Sequence, residues 1–95
     1  MSGQTLRQAM FDMLCRDTLE SRDLSQALSI PEKEVYSHLP HVRRSARAQG
    51  RSLIIEPARC LACGYQFKGR QRVTPPGRCP QCRGTRMARP AYRIE

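Results

Sequence analysis

The sequence predicts an α+β fold, with helices filling the first half and short strands gathered around a bound metal in the second. Three observations predict it. Apolar residues recur at helical spacing from Leu6 to Val42, alternation with a period of two replaces that spacing after Ser52, and the second half holds Cys60-Leu61-Ala62-Cys63 and Cys79-Pro80-Gln81-Cys82. The character of the chain changes near residue 56, which divides it into units 1–56 and 57–95.

In the first unit, Thr5 and Gln8 stand three apart and fit a capping box, each side chain satisfying the other's orphan amide. Leu6, Ala9, Met10, Met13 and Leu14 then form one apolar stripe, flanked by Phe11 and Cys15, and the helix ends near Arg16-Asp17. Cys15 reads as a small buried hydrophobe. Ser21 is the expected N-cap of a second helix, with Asp23 favourable to its dipole and Leu24, Ala27 and Leu28 facing inward. The break at Ser29-Ile30-Pro31-Glu32 admits two starts for a third helix: Pro31 as its first residue, or a Ser29–Glu32 capping box. That helix presents Val35, Leu39 and Val42 inward. Pro40 deprives the Tyr36 carbonyl of a donor, so a kink or a restart is expected there. Gly50 suits a left-handed helix end, and Ser52–Glu56 reads as a short strand closed by Pro57.

In the second unit, Tyr65, Phe67 and Val73 alternate with Gln66, Lys68, Arg70 and Arg72, as in a strand with a cationic face. Pro75-Pro76-Gly77 forms a turn delivering Cys79, and Tyr92 and Ile94 share a face opposite Arg93. The two Cys-x-x-Cys pairs lie fifteen residues apart, enough for a hairpin to bring them around one ion. Four thiolates leave no open coordination position, which is the arrangement of structural zinc. Two disulfides would need an oxidising compartment. The start of the chain has neither the basic segment nor the apolar run of a secretory signal, no apolar stretch is long enough to span a membrane, and Cys15 is an odd fifth cysteine. The expected location is a reducing cytoplasm. The expected cofactor is one structural Zn²⁺ at Cys60, Cys63, Cys79 and Cys82. Iron, which would make the site an electron carrier, is the alternative, disfavoured because this half is basic and poor in aromatic residues.

The formal charge of +9 is unevenly spread: residues 1–56 carry +1 and residues 57–95 carry +8. Bound thiolates and a divalent ion together lower the second figure by two, and the surface stays strongly basic. Arg outnumbers Lys fifteen to two, which suits bidentate phosphate recognition. The expected partner is double-stranded DNA.

Leu24, Ala27, Leu28, Ile30, Val35 and Leu39 fit a helix-turn-helix, with Leu53–Ile55 as one wing strand and Thr18–Glu20 as its partner. A plain three-helix core would give the same periodicity. On the winged reading the third helix turns Lys33, Tyr36, Ser37, His41 and Arg44 outward, along with Glu32, whose charge opposes phosphate. Arg43, Arg44, Arg47 and Arg51 follow with no acid among them, Arg47 and Arg51 being helical neighbours if the helix persists. Lys68, Arg70 and Arg72 would extend the contact. His38 and His41 read as solvated histidines.

The knuckles Cys60–Tyr65 and Cys79–Cys82 resemble those of rubredoxins and zinc ribbons, except that Arg83 stands where Gly is usual. The whole chain resembles a prokaryotic family of transcriptional regulators that join a winged helix-turn-helix to a C-terminal rubredoxin-like zinc ribbon. Its most specific stretches are Pro57-Ala58-Arg59-Cys60, Cys63-Gly64, Phe67, Pro76–Cys82 and Arg89–Ile94. A weaker likeness runs to archaeal transcription factor E. The resemblance implies a cytoplasmic, zinc-binding, DNA-binding regulator. No Ser/His/Asp set, carboxylate pair or phosphate loop argues for an enzyme. The alternative function is a module docking on the transcription machinery.

Overall fold

The computed structural model describes residues 3–69 and 72–95. Its order is α1 (Gly3–Arg16), β1 (Leu19–Glu20), α2 (Ser21–Leu28), α3 (Glu32–Ala48), β2 (Leu53–Glu56), β3 (Arg59–Cys60), β4 (Met87–Ala88) and β5 (Ala91–Ile94). Three helices pack on a small antiparallel sheet of order β1-β5-β2, and β3 pairs with β4 in the ribbon.

The helices form where the apolar spacing predicts them, but their ends differ in detail. α1 begins at Gly3, so Thr5 lies inside it, and Gln8 Nε2 donates to Asp12 Oδ1 (3.1 Å). α2 is capped by Glu20 and not by Ser21: the Glu20 amide donates to Asp23 (2.9 Å) while the Glu20 side chain accepts from the Asp23 amide. Ser21 is buried in the first turn, and Ala27 faces solvent. Ser29 takes a left-handed conformation (φ 55°) to end α2, and Pro31 stands one residue before α3, so neither anticipated start of α3 is used. α3 runs unbroken past Pro40. A Schellman motif ends it, with Gly50 at φ +72°, its amide on Arg47 O and the Arg51 amide on Ala46 O (2.8 Å).

The core joins Met10, Phe11 and Leu14 of α1, Leu24 of α2, and Val35, Leu39, Val42 and Ala46 of α3 to Leu53, Val73, Tyr92 and Ile94. The last three belong to the second unit. β5 is the central strand, with Leu19 opposite Tyr92 and Leu53 opposite Ile94. The two strands expected to pair with each other, β1 and β2, instead flank β5. A boundary at residue 56 therefore cuts through this sheet, and residues 57–90 form an excursion between two neighbouring strands. The reason lies in side-chain alternation: Tyr92 and Ile94 make one fully apolar face, which the helices can cover and the small ribbon cannot. The Tyr92 hydroxyl donates to the Val73 carbonyl, tying the ribbon loop to this core.

Among the described residues, the alternating run Tyr65–Val73 forms no strand. Its one ladder contact among the described residues is an isolated bridge between Arg59 and Gln66, followed by a turn at Lys68-Gly69 with Gly69 at φ +76°. Tyr65 and Phe67 instead pack edge to face, with centroids 5.0 Å apart.

Candidate metal centre and basic surface

The first knuckle turns at Gly64 (φ +81°), whose amide donates to Cys60 O (2.9 Å). The second turns at Arg83 (φ +63°), whose amide donates to Cys79 O (2.8 Å). Arg83 thus adopts the left-handed backbone that Gly64 adopts, and the two knuckles match despite the substitution. Gly84 has another role: its amide reaches Cys82 Sγ (3.4 Å), and a Cβ there would come within 3.3 Å of that sulfur. The amides of Gln81 and Cys82 point at Cys79 Sγ (3.4 and 3.5 Å). Amide donors aimed at sulfur stabilise thiolate over thiol.

The four sulfurs lie within 4.8 Å of one another, with Cys60–Cys82 at 3.5 Å and Cys63–Cys79 at 3.6 Å. Zinc–sulfur bonds of about 2.3 Å in a tetrahedron put the sulfurs about 3.8 Å apart, so the cluster fits one zinc ion with little adjustment. Charge makes the same demand. The Cys63 amide, helped by that of Ala62, draws the Cys60 thiol down to about 6 against the effect of burial. At Cys63 the Tyr65 amide also lowers proton affinity, but burial and the sulfurs of Cys79, Cys60 and Cys82 prevail and push it up to about 12. Four thiolates this close cannot all ionise without a cation, and a divalent ion supplies the missing charge. Cys60 and Cys79 are buried while Cys63 and Cys82 are exposed. An ion held there would be closed by four sulfurs, two from buried and two from exposed cysteines.

The anticipated nucleic-acid contacts divide into two groups. Lys33, Ser37, Arg44 and Arg47 are exposed on α3, and Lys68 and Arg72 are exposed in the ribbon. Arg43 and His41 are half-buried, and Arg70 lies outside the described residues. Tyr36 and Arg51 turn inward. The Tyr36 hydroxyl meets Ser21 Oγ (2.9 Å) and Glu32 Oε2 (3.4 Å). Arg51 lies beyond the end of α3 and is no helical neighbour of Arg47: it donates to Cys15 Sγ (3.1 Å) and Glu95 O (3.3 Å) and stacks on the Phe11 ring. Glu32 is not a free charge at the head of α3, because Arg89 Nη1 donates to both its carboxylate oxygens (2.9 Å). Arg93 is likewise engaged by Glu56 (3.0 Å) and Glu95. The partners of Arg51, the Arg89–Glu32 pair and the Arg93–Glu56 pair join residues more than thirty positions apart and left no signal in the sequence; the left-handed demand at Arg83 did leave one, in its matching position to Gly64.

Helices on a three-stranded sheet, with a closed four-thiolate site on an excursion from it, define a small α+β protein carrying one structural Zn²⁺ in a zinc ribbon. Residues 5–54 match the PF0610-like N-terminal family, residues 57–95 match the PF0610 rubredoxin-like zinc β-ribbon domain, and the chain belongs to this PF0610-like family. Its fold is similar to the solution NMR structure of protein PF0610 from Pyrococcus furiosus, with a TM-score of 0.85, 25% identity, and coverage of 100% of this chain and 92% of that one. Among curated proteins no match is found. No helix among the described residues is long and apolar enough to cross a membrane.

Proposed function

We propose that this chain is a cytoplasmic, non-enzymatic regulator of transcription that binds double-stranded DNA through a winged helix-turn-helix, with the zinc ribbon in the place of the wing. The element order up to β2 and the β1-β5-β2 sheet support the winged reading, since the excursion leaves and rejoins the sheet where a wing would. One observation carries the DNA reading: Lys33, Ser37 and Arg44 lie on α3 opposite its buried Val35, Leu39, Val42 and Ala46, with exposed Arg47 beside them. Arg89 neutralises Glu32, which removes one charge that would repel phosphate. Exposed Lys68, Arg72, Arg78, Arg83 and Arg86 extend the positive field along the ribbon.

The test is a salt titration of binding to random duplex. Affinity should fall steeply with salt, and replacing Arg43, Arg44 and Arg47 together by Gln should lower the logarithmic slope by roughly three, at about 0.9 per lost phosphate contact. The exposed Arg44 and Arg47 should cost stability no more than about 0.5 kcal/mol when replaced, as expected of surface substitutions, and the half-buried Arg43 accounts for any larger loss. Absence of binding at low salt, or a slope unmoved by the triple variant, would defeat the proposal. A second reading, docking on a protein of the transcription machinery, is favoured by Leu61. It is 52% exposed, the one exposed large hydrophobic among the described residues, and it sits on the first knuckle.

A further inference from the structure

A cleft of about 400 Å³ separates α1 from α3, lined by Arg7, Gln8, Phe11, His41, Arg44 and Ser45. Among the described residues no carboxylate forms an ion pair with Arg7, His41 or Arg44; the ion pairs present use Arg89 and Arg93. Arg7 is not loose. Its Nε donates to His38 Nδ1 (3.2 Å), which lays the guanidinium across from α1 to α3, and among the described residues its terminal nitrogens have no hydrogen-bond partner. Gln8 gives its amide nitrogen to Asp12, which keeps its charge one turn further along α1 and forms no ion pair with the cations of the cleft. The ring of Phe11 is buried, providing an apolar wall. Two guanidiniums, an imidazole and the Ser45 hydroxyl thus surround one space, and among the described residues no carboxylate is paired with its cations.

We infer that this cleft is a seat for a phosphoryl group, held by Arg7 and Arg44 with His41 as a third donor. Arginine's planar fork matches phosphate oxygens, and charge-assisted bonds of this kind are the strong ones. The surroundings of His41 agree. Burial first, then the charges of Arg7, Arg44 and His38, lower its proton affinity, as a histidine facing unneutralised cations requires. A bound dianion would reverse that effect. The seat does not depend on the duplex reading, since Arg7 lies on α1 and a free phosphomonoester has the same chemistry as a strand phosphate.

The experiment follows the His41 imidazole resonances of the zinc-loaded protein while inorganic phosphate replaces chloride at constant ionic strength. A saturable shift in the millimolar range is expected, with His41 titrating at higher pH when phosphate is bound. Arg7→Gln and, separately, Arg44→Gln should each weaken binding about tenfold, whereas Arg22→Gln on α2 should not. A short duplex then distinguishes the source. Displacement of phosphate by duplex assigns the seat to a strand phosphate, and phosphate binding that duplex leaves untouched assigns it to a free phosphoryl ligand. No saturable response of His41 to either probe, or a response that both variants leave unchanged, would overturn the inference.

Discussion

Arg83 shows at the scale of one residue what the metal site requires. A left-handed backbone costs a non-glycine residue about 1–2 kcal/mol, and part of that is offset because glycine loses more freedom on folding. Arg83→Gly should therefore stabilise the ribbon by about 0.5–1 kcal/mol, read as a higher chelator concentration at half-loss of zinc. An unchanged or lower value would mean that the Arg83 side chain contributes something its exposure does not reveal. His41 gives a prediction about pH. Its proton affinity is lowered in the fold by burial and by Arg7, Arg44 and His38, so the unfolded chain takes up the proton more readily. Its contribution to stability is therefore present above the ordinary histidine value of about 6.5 and is lost as pH falls below that value and through the lower folded one. His41→Gln should flatten that part of the stability–pH curve; an identical curve in the variant would contradict the assignment. Residue types whose chemistry is local were readable in the sequence, as the four cysteines and Gly50 were. Tyr36 and Arg51 were not, because amphipathic side chains on a helix edge or after a helix end can turn either way, and distant partners (Ser21 and Glu32, Cys15 and Phe11) decide which.

Among elements, β5 connects the parts. It is buried through Tyr92 and Ile94, yet its neighbours on either side come from the first half of the chain. Periodicity located the helices and the Leu53–Glu56 strand, since each pattern lies within one element. It offered no guide to pairing between residues 53–56 and 91–94, which depends on an apolar face finding cover elsewhere. Alternation at Tyr65–Val73 misled for the opposite reason: without an extended partner strand, alternation has nothing to pair with, and two aromatic rings pack on each other instead. The Arg89–Glu32 pair holds the β4–β5 connection against the start of α3. With its side chains 40% and 34% exposed, it should contribute less than about 1 kcal/mol. Arg89→Ala should thus lower the melting temperature only slightly while speeding amide exchange at Met87 and Ala88. A large loss of stability would show that this contact is far less screened than its exposure indicates.

For the whole molecule, metal and fold are coupled through the excursion. The knuckles bury little apolar surface of their own, so thiolate–zinc bonds supply what a core would. Without the ion, residues 57–90 become a loop joining β2 to β5, and closing such a loop costs about 3 kcal/mol. Tyr92, Ile94 and the helices form a separate core, so β5 should stay paired at reduced stability. The basic ribbon would then lose its fixed direction relative to α3, and the proposed duplex affinity should fall with it.

The most direct measurement is the amide spectrum of the protein as a strong chelator removes the metal. One equivalent of zinc should be released, with the signals of residues 58–88 collapsing to unfolded positions while those of α1, α2, α3 and β5 stay dispersed. A ribbon that keeps its dispersed signals after the last zinc is gone would contradict the account.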